Sequence, residues 1–272
     1  MSSGKLNKSV SLKTSIVTYY IDESIYALLD SLIASALNIP QLSYKVVIVE
    51  NGFKEKNEIH LNIEKQYPFC QVIIPGENLG YGRAHNLTID SEHDYHLVLN
   101  PDIEFSADAF LKAFEFLQEH PECGLLAPQC FWMNGDRQYL CKRYPSVFVL
   151  FIRAFAPKFF QNLFRRKLEY YCMKEETQRE QVLWNPLIVS GCFMLFRRDV
   201  LEKLKGFDPD FFLYFEDTDL SLRANKLTSI AYVPDVKIVH HGGNVSKKGV
   251  KHILLFTMSM IKFFNKHGWK CA

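Results

Sequence analysis

Three carboxylates fall within four positions at Glu216-Asp217-Thr218-Asp219, directly after the apolar run Phe211-Phe212-Leu213-Tyr214-Phe215. A carboxylate partly desolvated by aromatic neighbours has its pKa raised, which suits a general base. The same acids at a helix start would favour the helix dipole, with Asp217 or Thr218 as the cap, so a structural reading stands beside the chemical one. A second cluster is Asn100-Pro101-Asp102 after the apolar Leu97-Val98-Leu99. A buried strand delivering a carboxylate, with proline fixing the backbone, can present a ligand to a hard divalent cation such as Mg²⁺ or Mn²⁺. A plain Asn-Pro-Asp turn is the alternative. In the third cluster, Gly80 and Gly82 flank Tyr81 after Asn78, and Arg83 follows at an expected helix start. Backbone amides there, with the guanidinium, would hold a diphosphate. The segment matches neither Gly-x-Gly-x-x-Gly nor a Gly-Lys-Ser/Thr phosphate loop, and taken alone it reads as a turn. The fourth is His240-His241-Gly242-Gly243, imidazoles suited to a metal or phosphate contact, or to a decorated surface.

The elements that must position these clusters follow from periodicity. Thr14–Tyr19 reads as a strand, and Asp22 can cap a helix whose apolar positions Ile25, Leu28, Leu29, Leu32 and Ile33 recur at helical spacing. Lys45–Val49 reads as a buried strand ended by Asn51-Gly52, and Asn57–Tyr67 as a helix. Gln71–Ile74 suits a strand, Tyr81–Ile89 a helix and His96–Leu99 a strand. This alternation predicts a parallel sheet covered on both faces. Right-handed crossovers place the carboxyl ends of its strands along one edge, where ligands bind. Tyr19-Tyr20, Glu50-Asn51 and Asn100–Asp102 should therefore converge on one crevice. After about residue 130 the pattern changes. Residues 143–171 mix aromatic and basic side chains, and residues 174–181 are a polar run. Leu187–Phe196 reads as a strand with Gly191 in its middle, residues 199–205 and 216–226 as short helices, and Val250–Phe264 as an amphipathic helix.

The chain has 272 residues, 48% apolar and 23% charged, with a net charge of +2. Those values fit a globular protein and argue against a polyanion coat or wholesale disorder. There is no eighteen-residue apolar run and no apolar segment in the polar first thirteen residues, so neither a membrane span nor a secretory leader is expected. Seven cysteines without a Cys-x-x-Cys pair argue against a zinc ribbon or disulfide framework and fit a reducing cytosol. Residues 151–167 carry five bases among five phenylalanines and no acid, and residues 247–272 carry six lysines and no acid. Such segments can lie on an anionic membrane, or pack one face on the core with a solvated basic face outside. No RNA or DNA module is recognisable, so nucleic acid is not expected as a partner.

Taken together, the clusters resemble the inverting glycosyltransferases of family 2, and among them the rhamnosyltransferase-like enzymes of bacterial O-antigen and capsule assembly. The resemblance covers about residues 14–269. It is carried by Ser15–Tyr20, Val47–Gly52, Asn78–Asn86, Leu99–Asp102, Ser190–Met194, Gly206-Phe207-Asp208, Phe212–Arg223, His240–Ser246 and Phe263–Trp269. It implies an α/β GT-A nucleotide-diphospho-sugar transferase fold, a mostly parallel central sheet with helices on both faces. Its parts would be a tail over 1–13, a nucleotide-sugar-binding half over 14–130, an acceptor-binding and catalytic half over 131–246, and a basic amphipathic C-terminal helix over 247–272. Asn100-Pro101-Asp102 stands where the family has Asp-x-Asp, which makes Asp102 a ligand of Mg²⁺ or Mn²⁺. His240 matches a late metal-contacting histidine, with His241 left open as its neighbour. Thr18, Tyr20, Glu50 (Asp in the family), Asn51, Asn78, Gly80, Gly82, Arg83, Asn100 and Asp102 would face the donor, and His85 replaces a common Asn. Asp217 would be the base, Glu216 would orient it, and Gly191, Cys192 and Tyr214 would line the acceptor side. Asp208 and Asp219 read as structural. The implied reaction moves rhamnose from dTDP-rhamnose to a glycan or lipid-linked acceptor, in the cytoplasm or on the inner face of the plasma membrane. A UDP-hexose or UDP-N-acetylhexosamine donor, a catalytically silent scaffold subunit and a nucleotidyltransferase are the alternatives.

Overall fold

The computed structural model describes residues 9–242 and 249–272. The expected tail up to residue 8, residues 243–246 of the histidine segment, and Lys247 and Lys248 lie outside the described residues.

The first half is the alternation expected. Strands β1 (Val10–Thr18), β2 (Leu42–Glu50), β3 (Cys70–Ile73) and β4 (Tyr95–Leu99) form a parallel sheet in the order β3-β2-β1-β4. Between them run α1 (Ser24–Ala36), α2 (Glu58–Gln66) and α3 (Tyr81–Asn86). Asp22 Oδ1 accepts the Ser24 N–H at 2.9 Å just ahead of α1. At α2, Asn57 Oδ1 accepts the Ile59 and His60 N–H groups while His60 Nδ1 accepts the Asn57 N–H, a reciprocal cap. β1 begins at Val10 rather than Thr14, because its pairing with β2 runs back to Val10 opposite Leu42. The polar residues Ser11 and Lys13 hide that start, each held by a carboxylate, Asp94 and Asp90.

Sequence periodicity left residues 103–131 unread, and they hold β5 (Ile103–Phe105), α4 (Ala109–Glu119) and β6 (Cys123–Phe131). The short elements β7 (Arg137–Gln138), β8 (Cys141–Lys142), α5 (Val147–Phe155), α6 (Lys158–Leu163), α7 (Arg165–Tyr171), α8 (Lys174–Thr177) and β9 (Leu183–Trp184) follow. The expected strand Leu187–Phe196 is in fact two strands in two sheets. β10 (Ile188–Val189) pairs with β8 in a small separate sheet, whereas β11 (Phe193–Arg197) inserts antiparallel between β4 and β6. The chain turns at Ser190-Gly191-Cys192 because a backbone N–H there is claimed by a side chain of another element, described below. α9 (Arg198–Leu204), α10 (Glu216–Ala224), β12 (Ser229–His240) and α11 (Val250–His267) complete the fold.

Along the main sheet the order is β3-β2-β1-β4-β11-β6-β12-β5, with β6 and β12 parallel and β5 antiparallel to β12. Period-two alternation splits the core. Leu97 and Leu99 of β4 pack with Leu28, Phe110 and Phe114 on one face, and Val98 packs with Leu201, Phe207 and Leu220 on the other. A third cluster seats α11 against the body through Phe263 and Phe264, both fully buried with Phe211, Phe215 and Leu150. Each such phenylalanine contributes roughly 1.5–3 kcal/mol by burial.

Candidate functional site

The carboxyl ends of β1, β2, β4, β6 and β12 and the amino end of β11 share one edge, since Phe193 lies opposite Leu99 and His240 opposite Ile103. All four sequence clusters assemble there or beside it.

The glycines between the clusters mark close approaches. Gly80 has φ +77°, and a Cβ on it would collide with the Phe212 carbonyl, which accepts the Tyr81 N–H at 3.0 Å. Asn78 Oδ1 accepts the Gly80 N–H at 2.9 Å, and Asn51 Nδ2 donates to the Gly80 carbonyl at 3.0 Å. Thus β2 and the Asn78–Gly82 loop are tied, and α3 starts against the segment leading to the acidic cluster. Gly82 packs so tightly on Phe207 that a Cβ would come within 2.8 Å of it. Arg83 projects from α3 into solvent and has no ion pair among the described residues.

Tyr81, which sequence reasoning passed over, joins the clusters. Its hydroxyl donates to the Gly191 carbonyl at 2.7 Å, and its oxygen lies 3.1 Å from Asn100 Oδ1. The Gly191 N–H in turn donates to Asp217 Oδ2 at 2.9 Å, and the Asn100 N–H donates to the Cys192 carbonyl at 3.0 Å. The Asp102 loop and Asp217 are therefore linked through one tyrosine and one turn. The signal was present in the sequence as an aromatic between two glycines.

Asp102 faces His240, with Oδ1 3.2 Å from Nε2. Burial pushes the Asp102 pKa up, but the hydrogen bond and charge of His240, with backbone donors, outweigh it and hold the carboxyl below its ordinary value. Gln138 Oε1 lies 2.8 Å from His240 Nδ1 and also accepts the Cys130 thiol proton. An amide oxygen only accepts, so His240 Nδ1 carries a proton and Nε2 is the nitrogen turned toward Asp102 and the Asn100 amide, bonding the carboxylate when protonated and offering a lone pair to a cation when not. An imidazole lone pair opposed to a carboxylate, with its tautomer fixed from behind, is a donor set that fits a divalent cation. His241 is not part of it, because its Nε2 bonds Glu104 Oε1 at 2.7 Å and its N–H donates to the Asp102 carbonyl. The Trp132 ring lies parallel to His240, and Gly242, at φ +70°, leaves room for that indole. Gln138 and Trp132 left no signal in the sequence, since β7 is only two residues long.

Glu216 and Asp217 differ sharply. Glu216 is buried, its Oε2 has no hydrogen-bond partner among the described residues, and burial followed by the Asp217 charge raises its pKa to about 8. Asp217 is half-buried, with Oδ1 accepting the Thr218 N–H at 2.7 Å and Oδ2 the Gly191 N–H. Tyr214 and Phe215, immediately before them, both have left-handed φ, +70° and +66°. Two consecutive non-glycine residues in that region store strain of the kind found at functional sites. Tyr171, its phenol pushed up to about 12 chiefly by burial, is near enough to feel both Arg153 and Asp217.

Other expected contacts act indirectly. Glu50 is fully buried, with one carboxylate oxygen accepting the Ile21 N–H at 2.8 Å and the other bonded to His60 Nε2. It shapes the Tyr19–Ile21 loop, and both of its oxygens are already engaged within the protein. Thr18 is likewise nearly buried and donates to the Tyr20 carbonyl at 2.6 Å, while the Tyr20 ring stands exposed beside Phe53. Cys192 is buried with its thiol pKa raised to about 12 by burial, so it contributes its carbonyl. Tyr214 turns onto α11, its hydroxyl 3.0 Å from His252 Nδ1. His85 is buried, its Nδ1 on Ser15 Oγ at 2.6 Å, and burial holds its pKa well below the ordinary value. Asp208 and Asp219 hold α11 through Lys266, as a structural role requires. A cavity of about 730 Å³ lined by Glu122, Arg197, Lys203 and Asn225 lies at the opposite sheet edge, by the amino ends of β6 and β12.

A mixed sheet with this strand order, its four clusters gathered at the carboxyl edge and an acidic helix start beside them, is the GT-A glycosyltransferase fold. Residues 15–205 match the model of glycosyl transferase family 2, and the chain belongs to that family. It is 27% identical over 191 residues to N-acetylglucosaminyl-diphospho-decaprenol L-rhamnosyltransferase of Mycobacterium tuberculosis, covering 65% of this chain and 60% of the relative. It is 24% identical over 218 residues to rhamnosyltransferase WbbL of Escherichia coli, covering 75% of each. Among solved structures, mannosyltransferase PcManGT from Pyrobaculum calidifontis, in complex with GDP-Man and Mn²⁺, superposes with a TM-score of 0.58 at 17% identity. That match covers 94% of this chain and 65% of the other. The chain thus spans about 60% of the length of the mycobacterial relative.

Proposed function

We propose that this chain is a metal-dependent, inverting glycosyltransferase that moves rhamnose from dTDP-rhamnose onto a hydroxyl of a lipid-linked glycan in bacterial surface-polysaccharide synthesis. Two relatives named as rhamnosyltransferases, one of them for a diphospho-decaprenol substrate, support the donor sugar and the acceptor class. A site in the cytoplasm, with peripheral contact at the inner face of the plasma membrane, belongs to the same reading. Among the described residues no helix is long and apolar enough to cross a membrane. The observation that carries the proposal is the Tyr81 link, which ties the Asp102 loop to Asp217 at one edge of the sheet.

Asp102 and His240 would hold the cation, Mg²⁺ or Mn²⁺, which supplies charge neutralisation to the leaving diphosphate. Arg83, extended from α3, adds a guanidinium on the donor side. The loops around Tyr20, Asn51 and Gly80 form the donor wall, with Glu50 and Thr18 holding the first of them from below. Asp217 takes the proton of the acceptor hydroxyl. Its two oxygens each accept a backbone N–H, which fixes the carboxylate while leaving lone pairs toward the crevice. Glu216, its pKa raised to about 8 by burial and then by the neighbouring Asp217, is kept from adding a second charge to the acidic pair below that pH. Attack opposite the departing nucleotide inverts the sugar and requires no covalent enzyme intermediate.

Replacement Asp217→Asn keeps the shape and removes the base, leaving one acceptor oxygen for the two backbone N–H groups that Asp217 receives. Transfer should fall about 10²–10⁴-fold while donor affinity, read by calorimetry, stays within a factor of about three. Near wild-type transfer by this variant would remove Asp217 as the base.

A further inference from the structure

The α5–α6 hairpin is exposed in a way its composition does not explain. α5 is capped by Ser146, whose Oγ accepts the Val149 N–H, and it buries Val149, Leu150 and Ile152. Its other face carries Phe151 and Phe155, 58% and 43% exposed. Pro157 breaks the helix, and α6 beyond it buries no residue at all, leaving Phe159, Phe160 and Leu163 at 74%, 48% and 67% exposure. Five large apolar side chains thus project from one short hairpin. Arg153, Lys158, Arg165, Arg166 and Lys167 are exposed among them, and no acidic residue occurs between 151 and 167.

We infer that this hairpin is a monotopic docking surface for an anionic lipid bilayer, inserting its phenylalanines at the headgroup boundary with the bases on lipid phosphates. Charge complementarity selects this occupant. A second copy of the chain would bring the same five bases to the interface, of which Arg165 alone meets an acid, Glu169, whereas aromatic and basic side chains mixed on a short amphipathic hairpin suit the surface of an anionic leaflet. The hairpin is also fixed to the body. The Val147 and Phe148 N–H groups donate to the Lys270 and Cys271 carbonyls, and the Arg153 guanidinium lies 6.0 Å from the Tyr171 ring, next to the base. Docking would therefore orient the acceptor side of the crevice toward the membrane, a consequence that rests on the lipid-linked acceptor proposed above. The docking itself does not depend on it.

The test is co-sedimentation of the whole chain with vesicles of phosphatidylcholine, alone or with about one third phosphatidylglycerol, at low and high salt. Binding is expected to the anionic vesicles only and to weaken at high salt. The triple variant Lys158→Gln, Arg165→Gln, Arg166→Gln should bind roughly a hundredfold more weakly, about fivefold per base. Phe159→Ser with Phe160→Ser should weaken binding at least tenfold, with circular dichroism unchanged in both. Equal binding to neutral vesicles, or no binding to either, overturns the inference. So does loss of binding in the charge variant alone, which would mean a polyanion site, or wild-type self-association abolished by the phenylalanine variant without vesicle binding, which would mean a dimer face. A thermal shift with dTDP-rhamnose and Mn²⁺ runs in parallel. Vesicle binding without that shift leaves docking standing and removes the donor assignment, and the reverse result removes docking alone.

Discussion

Glu216 and Asp217 are adjacent carboxylates whose surroundings drive them apart. The Glu216 side chain is buried with its Oε2 lacking a hydrogen-bond partner among the described residues, while Asp217 is met by two backbone N–H groups. Burial first, and the neighbouring charge second, lift Glu216 from an ordinary 4.5 to about 8. The native state then keeps a proton that the unfolded chain has released. That contribution to stability is complete below about pH 4.5 and is lost as pH rises toward about 8. Glu216→Gln carries no titrating group, so its melting temperature should fall less between pH 5 and pH 8 than that of the wild type (roughly the window set by the two pKa values). Parallel melting curves for the two proteins across that range would refute a buried, protonated Glu216.

At the level of elements, the site is built by three short turns, and Tyr81 adds a further tie between those that the Asn100–Cys192 and Gly191–Asp217 hydrogen bonds already join. α3 carries that phenol to the junction of β4 with the Ser190–Cys192 turn, where it binds Asn100 and Gly191. Asn86, one turn further along α3, bonds both the N–H and the carbonyl of Phe207 and fastens the helix to the segment ahead of α10. Tyr81→Phe removes one hydroxyl and leaves the buried Gly191 carbonyl without that donor. The expected cost is about 1–3 kcal/mol in denaturant unfolding. Transfer should fall on the order of 10²-fold through misplacement of Asp217 against the donor, with donor KM changed much less. A variant with wild-type kcat would show that the turns hold their positions without the phenol.

At the scale of the whole molecule, the proposed cation site sits at one sheet edge, and the core is complete without it. Leu97, Leu99, Phe110, Phe114 and Phe193 are fully buried on apolar contacts alone. A chelator should therefore leave the melting temperature of the free protein unchanged, whereas structural zinc sites contribute folding energy outright. Stabilisation by dTDP-rhamnose should require added Mn²⁺ or Mg²⁺, reaching about 2.7 kcal/mol at a hundredfold excess over Kd. Unfolding by chelator, or donor stabilisation that ignores it, would contradict the assignment of Asp102 and His240.

The residue pattern alone determined the alternating first half, the helices α1 and α2, the convergence of strand ends on one edge and the four clusters that meet there, because these depend on periods and turn residues that are local. The family resemblance rested on the same local signals. What local pattern left open was decided by contacts distant in sequence. Leu187–Phe196 has the composition of one strand, yet Asp217 claims the Gly191 N–H and the chain turns. Glu50 has the position of a donor contact, yet Ile21 and His60 enclose it. His240 rather than His241 faces Asp102 because Gln138, 102 residues away, fixes its tautomer and Glu104 draws its neighbour aside. Such choices follow from which polar group finds its partner as the core closes, a property that the three-dimensional packing alone can set.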